Sequence, residues 1–254
     1  MVTFETKVWE KDWRYILKGD YLDKMILRCN YPFTKKILII NNVDDRVQVS
    51  KFAEEKVNDG VIDAYYFAED YADVVLNYFK IDKTSFDGGY YYSIAELVSI
   101  YLCDTPFLLH FSSDSLLQKN HNQWIDKAIT IFSRRTDIIV ANPTWDFLFH
   151  EAQQESISEL DDFYVGQGFS DQCYLIRMDV FKNEIYGENN LQSDRYPQYG
   201  GRLFEKRVDS FMRNHDLFRI TSKDVSYIHR NFPTSRIWSI LNIYIKYIIK
   251  KRLS

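Results

Sequence analysis

Residues 106–117, PFLLHFSSDSLL, place a short apolar run directly before small polar residues and one acid. The run at 107–109 predicts a buried strand of a parallel sheet. In open α/β sheets ligands bind beyond the carboxyl ends of the strands, so Asp114 is expected at a binding edge. A lone carboxylate there suits Mg²⁺ or Mn²⁺ carrying a diphosphate. A helix N-cap formed by Ser113 or Asp114 is the simpler alternative, and it stays open at this point.

Predicted strands and helices alternate through the first half of the chain. The strands rest on apolar or β-branched runs bounded by turn residues, as in KKILII before Asn41-Asn42. Strands are predicted over residues 2–9, 21–29, 35–40, 61–67, 107–109 and 137–141, the last ended by Asn142-Pro143. Helices are predicted over residues 12–17, 47–57, 71–79, 94–102 and 124–132. This alternation predicts an α/β fold in which helices flank a mixed, mostly parallel sheet.

The pattern changes after Pro143. Residues 144–165 are polar and weakly periodic, and residues 187–202 are loop-like. Further elements are predicted as strands over 174–177 and 224–228 and as helices from 178 and over 203–215. The tail, RIWSILNIYIKYIIKKRL at 236–253, has one apolar helical face and clustered basic residues. It predicts a C-terminal amphipathic helix on an anionic membrane surface; docking on its own domain or a dimer contact are the alternatives.

Composition limits the classes of function. The length of 254 residues suits one sizeable domain, and a formal net charge of −4 argues against a nucleic-acid binder. Three widely spaced cysteines suggest neither a disulfide framework nor a zinc site. The first residues, MVTFETKVWEKDW, lack the apolar segment of a signal peptide, and no apolar run is long enough to span a membrane. The expected location is therefore the cytoplasm, with possible attachment to the inner face of the cell membrane.

Over residues 1–232 the chain resembles the GT-A glycosyltransferases, in particular the large inverting family of bacterial surface-polysaccharide transferases. The resemblance implies a Rossmann-like domain with a nucleotide-sugar half at 1–143 and an acceptor half at 144–232, followed by the basic helix at 233–254. In that family a D-x-D motif after the key strand holds Mn²⁺ or Mg²⁺ on the donor diphosphate. The matching triplet here is Ser112-Ser113-Asp114, which keeps only the last acid. Asp114 is thus the implied metal ligand, and His229, in SYIHRNF, is a second one.

The resemblance also implies a binding site for the nucleotide sugar. Asn41 and Asn42 stand where the family has an acid that reads the base or ribose. The remaining donor-site residues that it implies are small or cationic: Thr6 at the end of the first strand, Ser93, Ser113 and Arg230. We expect a UDP-sugar as the favoured donor.

The acceptor side is implied by FYVGQGFSDQCYLIR at 163–177, which resembles the segment that shapes the acceptor pocket. Its candidate acceptor-binding residues are Gly168, Phe169, Asp171 and Gln172. A Gly-rich turn before a strand explains the same segment. Inverting transfer needs a general base, and the family supplies an acid at the start of a helix. Glu205 and Asp209 are the candidates, with Glu205 favoured; alternatively both acids pair with Lys206 or Arg213 on a solvated helix.

These features together predict a metal-dependent inverting glycosyltransferase. It would transfer a sugar from a nucleotide-diphosphate donor to a hydroxyl of a glycan or lipid-linked acceptor in surface-polysaccharide synthesis. The missing first acid of the triplet supports the alternative of a non-catalytic nucleotide-sugar or glycan-binding module. A nucleotidyltransferase is disfavoured because no Gly-rich phosphate loop follows the first strand.

Overall fold

Ten strands form one sheet in the computed structural model, which describes residues 1–118, 123–197, 200–230 and 232. The strands are β1 (Val2–Val8), β2 (Lys35–Ile40), β3 (Ala64–Phe67), β4 (Phe107–Phe111), β5 (Ser115–Leu117), β6 (Ile138–Trp145), β7 (Ser156–Leu160), β8 (Phe163–Gly166), β9 (Cys173–Arg177) and β10 (Phe218–His229). Their order is β3-β2-β1-β4-β9-β6-β10-β8-β7, and β5 pairs with β10. The strands β5, β8 and β9 run opposite to the others, so the sheet is mixed and mostly parallel.

Helices cover both faces of this sheet. The α-helices are α1 (Trp13–Leu17), α2 (Tyr21–Cys29), α3 (Arg46–Asn58), α4 (Ala68–Tyr78), α5 (Ile94–Leu102), α6 (Trp124–Arg134), α7 (Phe149–Gln154), α8 (Met178–Phe181) and α9 (Phe204–Asn214), and 3-10 turns span Lys83–Tyr92 and Leu191–Arg195. One apolar core lies under α1, α2, α3 and α6, and a second lies under α4, α5, α8 and α9. Among the described residues, no helix has the length and apolar character that crossing a membrane requires.

The strand β2 shows why the sheet is buried on both sides. Leu38 and Ile40 belong to the first core, whereas Ile37 and Ile39 belong to the second. Alternate side chains of a strand point to opposite faces, so the unbroken apolar run KKILII serves both cores. Each fully buried side chain of this kind contributes about 1.5–3 kcal/mol relative to an exposed one.

Most of the strands and helices predicted in the first half are confirmed, and two predictions are wrong. Residues 21–29 were expected as a strand but form α2, because Leu22, Met25 and Cys29 make one buried helical face. The strand expected to end at Asn142-Pro143 continues to Trp145. Pro143 fits there because the register with β10 shifts between Thr221 and Ser226, where a missing N–H costs no ladder bond.

The polar region after residue 143 contains elements that the sequence did not reveal. It folds into α7 and the hairpin of β7 and β8 at the sheet edge. The short strand β5 was also missed. The predicted membrane-surface helix at 236–253 lies outside the described residues.

We expect Ile39→Ala to lower the free energy of unfolding by about 2–5 kcal/mol, because it removes a fully buried side chain and leaves a cavity. Urea unfolding followed by tryptophan fluorescence measures the change. The matched control is Val47→Ala on α3, where the side chain is 83% exposed, and its expected effect is within about 0.5 kcal/mol. Equal effects of the two substitutions would contradict the two-core packing described above.

Candidate active site

A cleft of about 1280 Å³ opens at the carboxyl ends of β1, β2 and β4. Parallel strands present their carboxyl ends at one edge, which explains why polar residues distant in sequence meet there. The cleft walls come from residues 7–12 after β1, Asn41 and Asn42 after β2, residues 112–114 after β4, Asp171 with Gln172, and His229 with Phe232. Tyr91 and Tyr92 close one side of it.

Asp114 and His229 meet at the floor of this cleft. The chain turns after β4 and forms β5, which pairs antiparallel with the end of β10, so that Ser115 lies opposite His229. The backbone N–H of Arg230 donates to the carbonyl oxygen of Asp114 at 2.7 Å. As a result His229 Nε2 lies 2.8 Å from Asp114 Oδ2, with both side chains partly open to solvent. The structure thus brings together the two residues that were expected as metal ligands.

The two side chains stabilise each other's charged forms. Burial opposes ionisation of Asp114, but the hydrogen bond and charge of His229 lower the pKa of this carboxyl below its usual value. The hydrogen bond to Asp114 likewise raises the pKa of His229. A carboxylate oxygen and an imidazole nitrogen suit Mn²⁺, and the carboxylate suits Mg²⁺. To ligate through Nε2, His229 gives up its proton and its hydrogen bond to Asp114.

Two protein ligands leave most of a metal's coordination positions to other groups. No cluster of three or more His, Cys, Asp or Glu side chains suited to a metal occurs in the part of the chain that the structure describes. Divalent ions at phosphate sites keep several waters and bind through one or two carboxylates plus the phosphates of the substrate. The pair therefore fits a metal that arrives with a diphosphate.

The two serines of the predicted triplet have partners within the protein. The Ser112 hydroxyl donates to Asp114 Oδ1 at 3.1 Å, which orients the carboxylate. The Ser113 hydroxyl donates to the carboxylate of Asp12, which also accepts the N–H of Trp9 at 2.8 Å. Asp12 is only 4% exposed, and burial raises its pKa to about 6 against the opposing effect of these hydrogen bonds. Sequence reasoning gave no role to Asp12, because its partner lies 101 positions away.

Of the six expected donor-site residues, three line the cleft and three do not. Asn41, Asn42 and Ser113 line the cleft, as predicted for them. Thr6 is buried behind it and donates its hydroxyl to the Phe111 carbonyl at 2.7 Å. The remaining two are Ser93, whose hydroxyl is buried between Gly89 and Phe204, and Arg230, which is exposed next to the Asp114–His229 pair.

Asn41 has a side-chain oxygen that lacks a hydrogen-bond partner among the described residues. Its Nδ2 donates to the Tyr91 carbonyl at 2.7 Å, which fixes the amide. Its Oδ1 is buried and accepts no hydrogen bond from the described residues. A buried acceptor without a partner costs about 1–3 kcal/mol, so a ligand N–H placed there would recover this energy. Asn42 adopts a left-handed φ of 49° that asparagine tolerates, and its N–H donates to Glu69 Oε1 at 2.6 Å.

Three cations on the cleft wall were not singled out in the sequence. They are Lys7, Lys11 and Arg14. Lys7 pairs with Glu96, a fully buried acid in the first turn of α5. Burial opposes its charge, but Glu96 and neighbouring acids raise the pKa of Lys7, so it remains an ammonium group. Positive side chains on this wall favour an anionic ligand.

Of the four expected acceptor residues, two line the cleft and two do not. Asp171 and Gln172 line the cleft, and Gln172 Oε1 accepts the hydroxyl of Tyr227 at 2.9 Å. Phe169 is 2% exposed and belongs to the second apolar core. Gly168 has a φ of 107°, and a Cβ there would lie 2.4 Å from Arg195 Nη2. The conformation of this turn therefore requires glycine, and the turn sets Asp171 at the cleft.

Of the two acids on α9, the structure brings Glu205 to the cleft side and leaves Asp209 inside. Glu205 Oε1 accepts the backbone N–H of Asp171 at 3.1 Å. Burial, and then the charge of Asp171, raise the pKa of Glu205 well above its usual value. Asp209 has no exposure and accepts from Ser193 at 2.6 Å and from Arg213 at 2.8 Å. These contacts favour a structural role for Asp209.

Comparison with known proteins gives the fold. No protein-family model matches the chain, and a comparison with curated proteins found no match. CMP:2-keto-3-deoxy-manno-octonic acid synthetase complexed with CTP aligns with 98% of this chain and 99% of its own, at a TM-score of 0.54 and 7% identity. GalNAc-T7 with UDP, GalNAc and Mn²⁺ aligns with 90% of this chain and 43% of its own, at a TM-score of 0.55 and 8% identity.

Glucosyl-3-phosphoglycerate synthase from Mycobacterium tuberculosis, with Mn²⁺, UDP-glucose and glycerol 3-phosphate, aligns with 92% of this chain and 73% of its own, at a TM-score of 0.49 and 12% identity. The likenesses to the synthetase and to GalNAc-T7 confirm the predicted class, an α/β GT-A fold with a mixed, mostly parallel sheet flanked by helices. At these identities a likeness defines the fold, so function is argued from the site.

Asp12 makes the stability of the protein depend on pH. A carboxyl whose pKa is raised on folding binds its proton more tightly in the folded state, so its contribution to stability falls as the pH rises from about 4 to about 6. A rise of about two in the pKa of this carboxyl corresponds to about 3 kcal/mol in the free energy of unfolding. We expect the unfolding free energy of the wild type to fall relative to that of Asp12→Asn by about 3 kcal/mol across this pH range. Urea unfolding at pH 4, 5, 6 and 7 measures it; a constant difference would contradict the burial of an ionised Asp12.

Proposed function

We propose that this protein is a metal-dependent glycosyltransferase that takes its sugar from a nucleotide-diphosphate donor. The observation that carries the proposal is the meeting of Asp114 and His229, at 2.8 Å, where β4 ends in the cleft. An oxygen and a nitrogen ligand on one side of an open cleft suit Mn²⁺ or Mg²⁺ held jointly by protein and diphosphate. GalNAc-T7, which shares the fold, was solved with UDP and Mn²⁺.

Uridine is the base that we favour. Asn41 Oδ1 is an acceptor without a partner among the described residues, and it suits the N3–H of uracil. Tyr91, about half exposed at the same side of the cleft, offers a ring face on which a base can stack. Asn42, beside Asn41, is a candidate for the ribose hydroxyls.

The charge of the departing diphosphate is the main quantity that the site has to stabilise. When bound, the metal would supply positive charge next to the phosphates. The ammonium groups of Lys7 and Lys11 and the guanidinium group of Arg14 lie on the wall of the same cleft. Prearranged cations in a partly dehydrated cleft are the kind of feature that lowers the barrier most.

Transfer with inversion by direct displacement requires a base on the acceptor side. Asp171 and Glu205, in contact through the Asp171 N–H, are the acids that support this assignment. We propose a hydroxyl of a glycan or lipid-linked glycan in surface-polysaccharide synthesis as the acceptor. In this proposal the enzyme works in the cytoplasm, and the basic segment 236–253 attaches it to the inner face of the membrane.

A non-catalytic module that binds nucleotide sugars or glycans is the alternative, because only one acid of the D-x-D triplet is present. The likeness to the synthetase extends over nearly all of both chains, so nucleotidyl transfer is tested beside it. Incubation with nucleoside triphosphates, a sugar acid and Mg²⁺ would release pyrophosphate from a nucleotidyltransferase. A glycosyltransferase would instead release a nucleoside diphosphate from its sugar donor.

The direct test is isothermal titration with UDP, GDP, CMP and their sugars, with and without Mn²⁺. We expect manganese-dependent binding of a uridine nucleotide, weakened at least about 10-fold in Asp114→Ala and in His229→Ala through loss of a metal ligand. The matched control is Asp59→Ala, an exposed acid after α3, which should leave binding unchanged. Failure of the folded wild type to bind any of these nucleotides would overturn the proposed function. Binding that ignores Mn²⁺ and both substitutions would overturn the metal site.

A further inference from the structure

A line of acidic side chains runs from the core of the protein to the acceptor side of the cleft. Glu5 on β1 and Glu96 on α5 have no exposure, and each has a nitrogen-bearing side chain as its partner. His110 on β4 bonds Glu5 through Nδ1, and Lys7 bonds Glu96. Acids in a low-dielectric interior need such partners, because an isolated buried charge is very costly.

Asp171 and Glu205 stand at the cleft end of this line. The Asp171 N–H donates to Glu205 Oε1 at 3.1 Å, and the charge of Asp171 acts on the Glu205 carboxyl. Lys7 is a cation whose charge acts on both acids, and it is shared with Glu96. Two adjacent carboxyl groups oppose each other's ionisation, which favours a proton on the one that is farther from solvent.

The surroundings of the two groups decide where this proton resides. Glu205 lies in the first turn of α9 behind Asp171, whereas Asp171 forms part of the cleft wall. Burial, together with the neighbouring charge of Asp171, raises the pKa of Glu205 well above its usual value. Glu205 is therefore the protonated partner, with one oxygen accepting the Asp171 N–H and the other carrying the proton.

We propose that Asp171 is the catalytic base that deprotonates the acceptor hydroxyl, and that Glu205 is a positioning residue held as a neutral acid behind it. This inference rests on the proposed glycosyl transfer and changes the residue that performs its proton step. Glu205 was the acid favoured from the sequence. In the structure Glu205 stands behind Asp171 and next to a second carboxyl group, whereas Asp171 itself lines the cleft.

The proton and electron balance of the step is simple. The acceptor hydroxyl gives its proton to an Asp171 oxygen while its own oxygen forms a bond to the anomeric carbon of the donor sugar. The bond between that carbon and the phosphate oxygen breaks, and its electron pair leaves with the nucleoside diphosphate. The hydrogen bond from Glu205 holds the Asp171 carboxylate in one orientation, and Lys7 offsets its charge. Asp171 afterwards releases the proton to solvent in the cleft.

The protonation state is measurable without a substrate. Protein labelled with ¹³C at the side-chain carboxyl carbons of aspartate and glutamate gives carboxyl resonances between pH 5 and 8, and Glu205→Gln identifies the Glu205 resonance by its loss. We expect Glu205 to be protonated at pH 7 and its pKa to fall in Asp171→Asn, which removes the neighbouring charge. An ionised Glu205 at pH 7 would overturn the inference, whatever nucleotide the protein binds.

The separate roles of Asp171 and Glu205 are tested by measuring the release of UDP from the UDP-sugar that binds tightest, with Mn²⁺ present and water as the acceptor. We expect Asp171→Asn to lower kcat by at least about 100-fold with an unchanged dissociation constant for UDP. Glu205→Gln keeps an N–H donor toward Asp171, so its loss should stay within about 10-fold, and Glu205→Ala should lose more. Glu54→Gln, an exposed acid on α3, is the matched control with unchanged activity.

Two outcomes separate this inference from the proposed function. A wild type that binds and hydrolyses the donor, with Glu205→Gln as inactive as Asp171→Asn, makes Glu205 the base and overturns the inference alone. A folded wild type that binds no nucleotide removes the proposed transfer, and the base assignment falls with it.

Discussion

The pairing of three residues with the end of a long strand determines the candidate active site. β5 is only Ser115–Leu117, yet its antiparallel register with β10 sets His229 next to Asp114. Without this pairing, the turn after β4 would have no reason to meet a segment more than a hundred residues later. Backbone hydrogen bonds hold both sides of the turn, since Ser112 donates to Gln172 and Arg230 donates to Asp114. The geometry of the Asp114–His229 pair is therefore a property of sheet topology and not of a local motif.

Several charged side chains lie at the same strand ends. Glu96 is placed in the first turn of α5, where the helix dipole favours an acid, and it fixes the Lys7 ammonium at the cleft wall. A buried ion pair of this kind contributes little net stability, because desolvation offsets the attraction. The effect of the ion pair is to fix the position of Lys7, whose charge acts on Asp171 while the side chain remains on the cleft wall. In the proposed transfer, cations near the diphosphate and an acid near the acceptor hydroxyl are what displacement requires.

The sequence was most informative where apolar runs are long and unbroken. β2 and β4 follow directly from KKILII and FLLHF, and the polar residues after each strand indicated the sheet edge at which the cleft opens. The helix α2 was mistaken for a strand because a stretch of nine residues with mixed apolar spacing fits both periods. The hairpin of β7 and β8 was missed because β7 is mostly exposed at the sheet edge and shows no apolar alternation. A strand as short as β5 carries no periodic signal at all.

The sequence could indicate some residues of the candidate site, but it could not indicate the contacts between them. Asp114 could be selected because polar residues at strand ends meet in this class of sheet, and the family resemblance implied Asn41, His229 and Asp171. The contacts that set their chemistry could not be foreseen: Asp12 with Ser113, Lys7 with Glu96, and Asp171 with Glu205 join residues 34 to 101 positions apart. Position in the sequence favoured Glu205 as the base. Its burial and its neighbour, which only the fold reveals, point to Asp171 instead.

The central claim is that Asp114 and His229 hold a divalent metal together with a nucleoside diphosphate. Crystals grown with UDP and MnCl₂, with diffraction recorded at the manganese absorption edge, test it most directly. The account predicts one anomalous peak in the cleft, within roughly 2.0–2.6 Å of an Asp114 oxygen, of His229 Nε2 and of the diphosphate oxygens. UDP bound in the cleft with no metal at this pair, or a metal bound elsewhere, would contradict it.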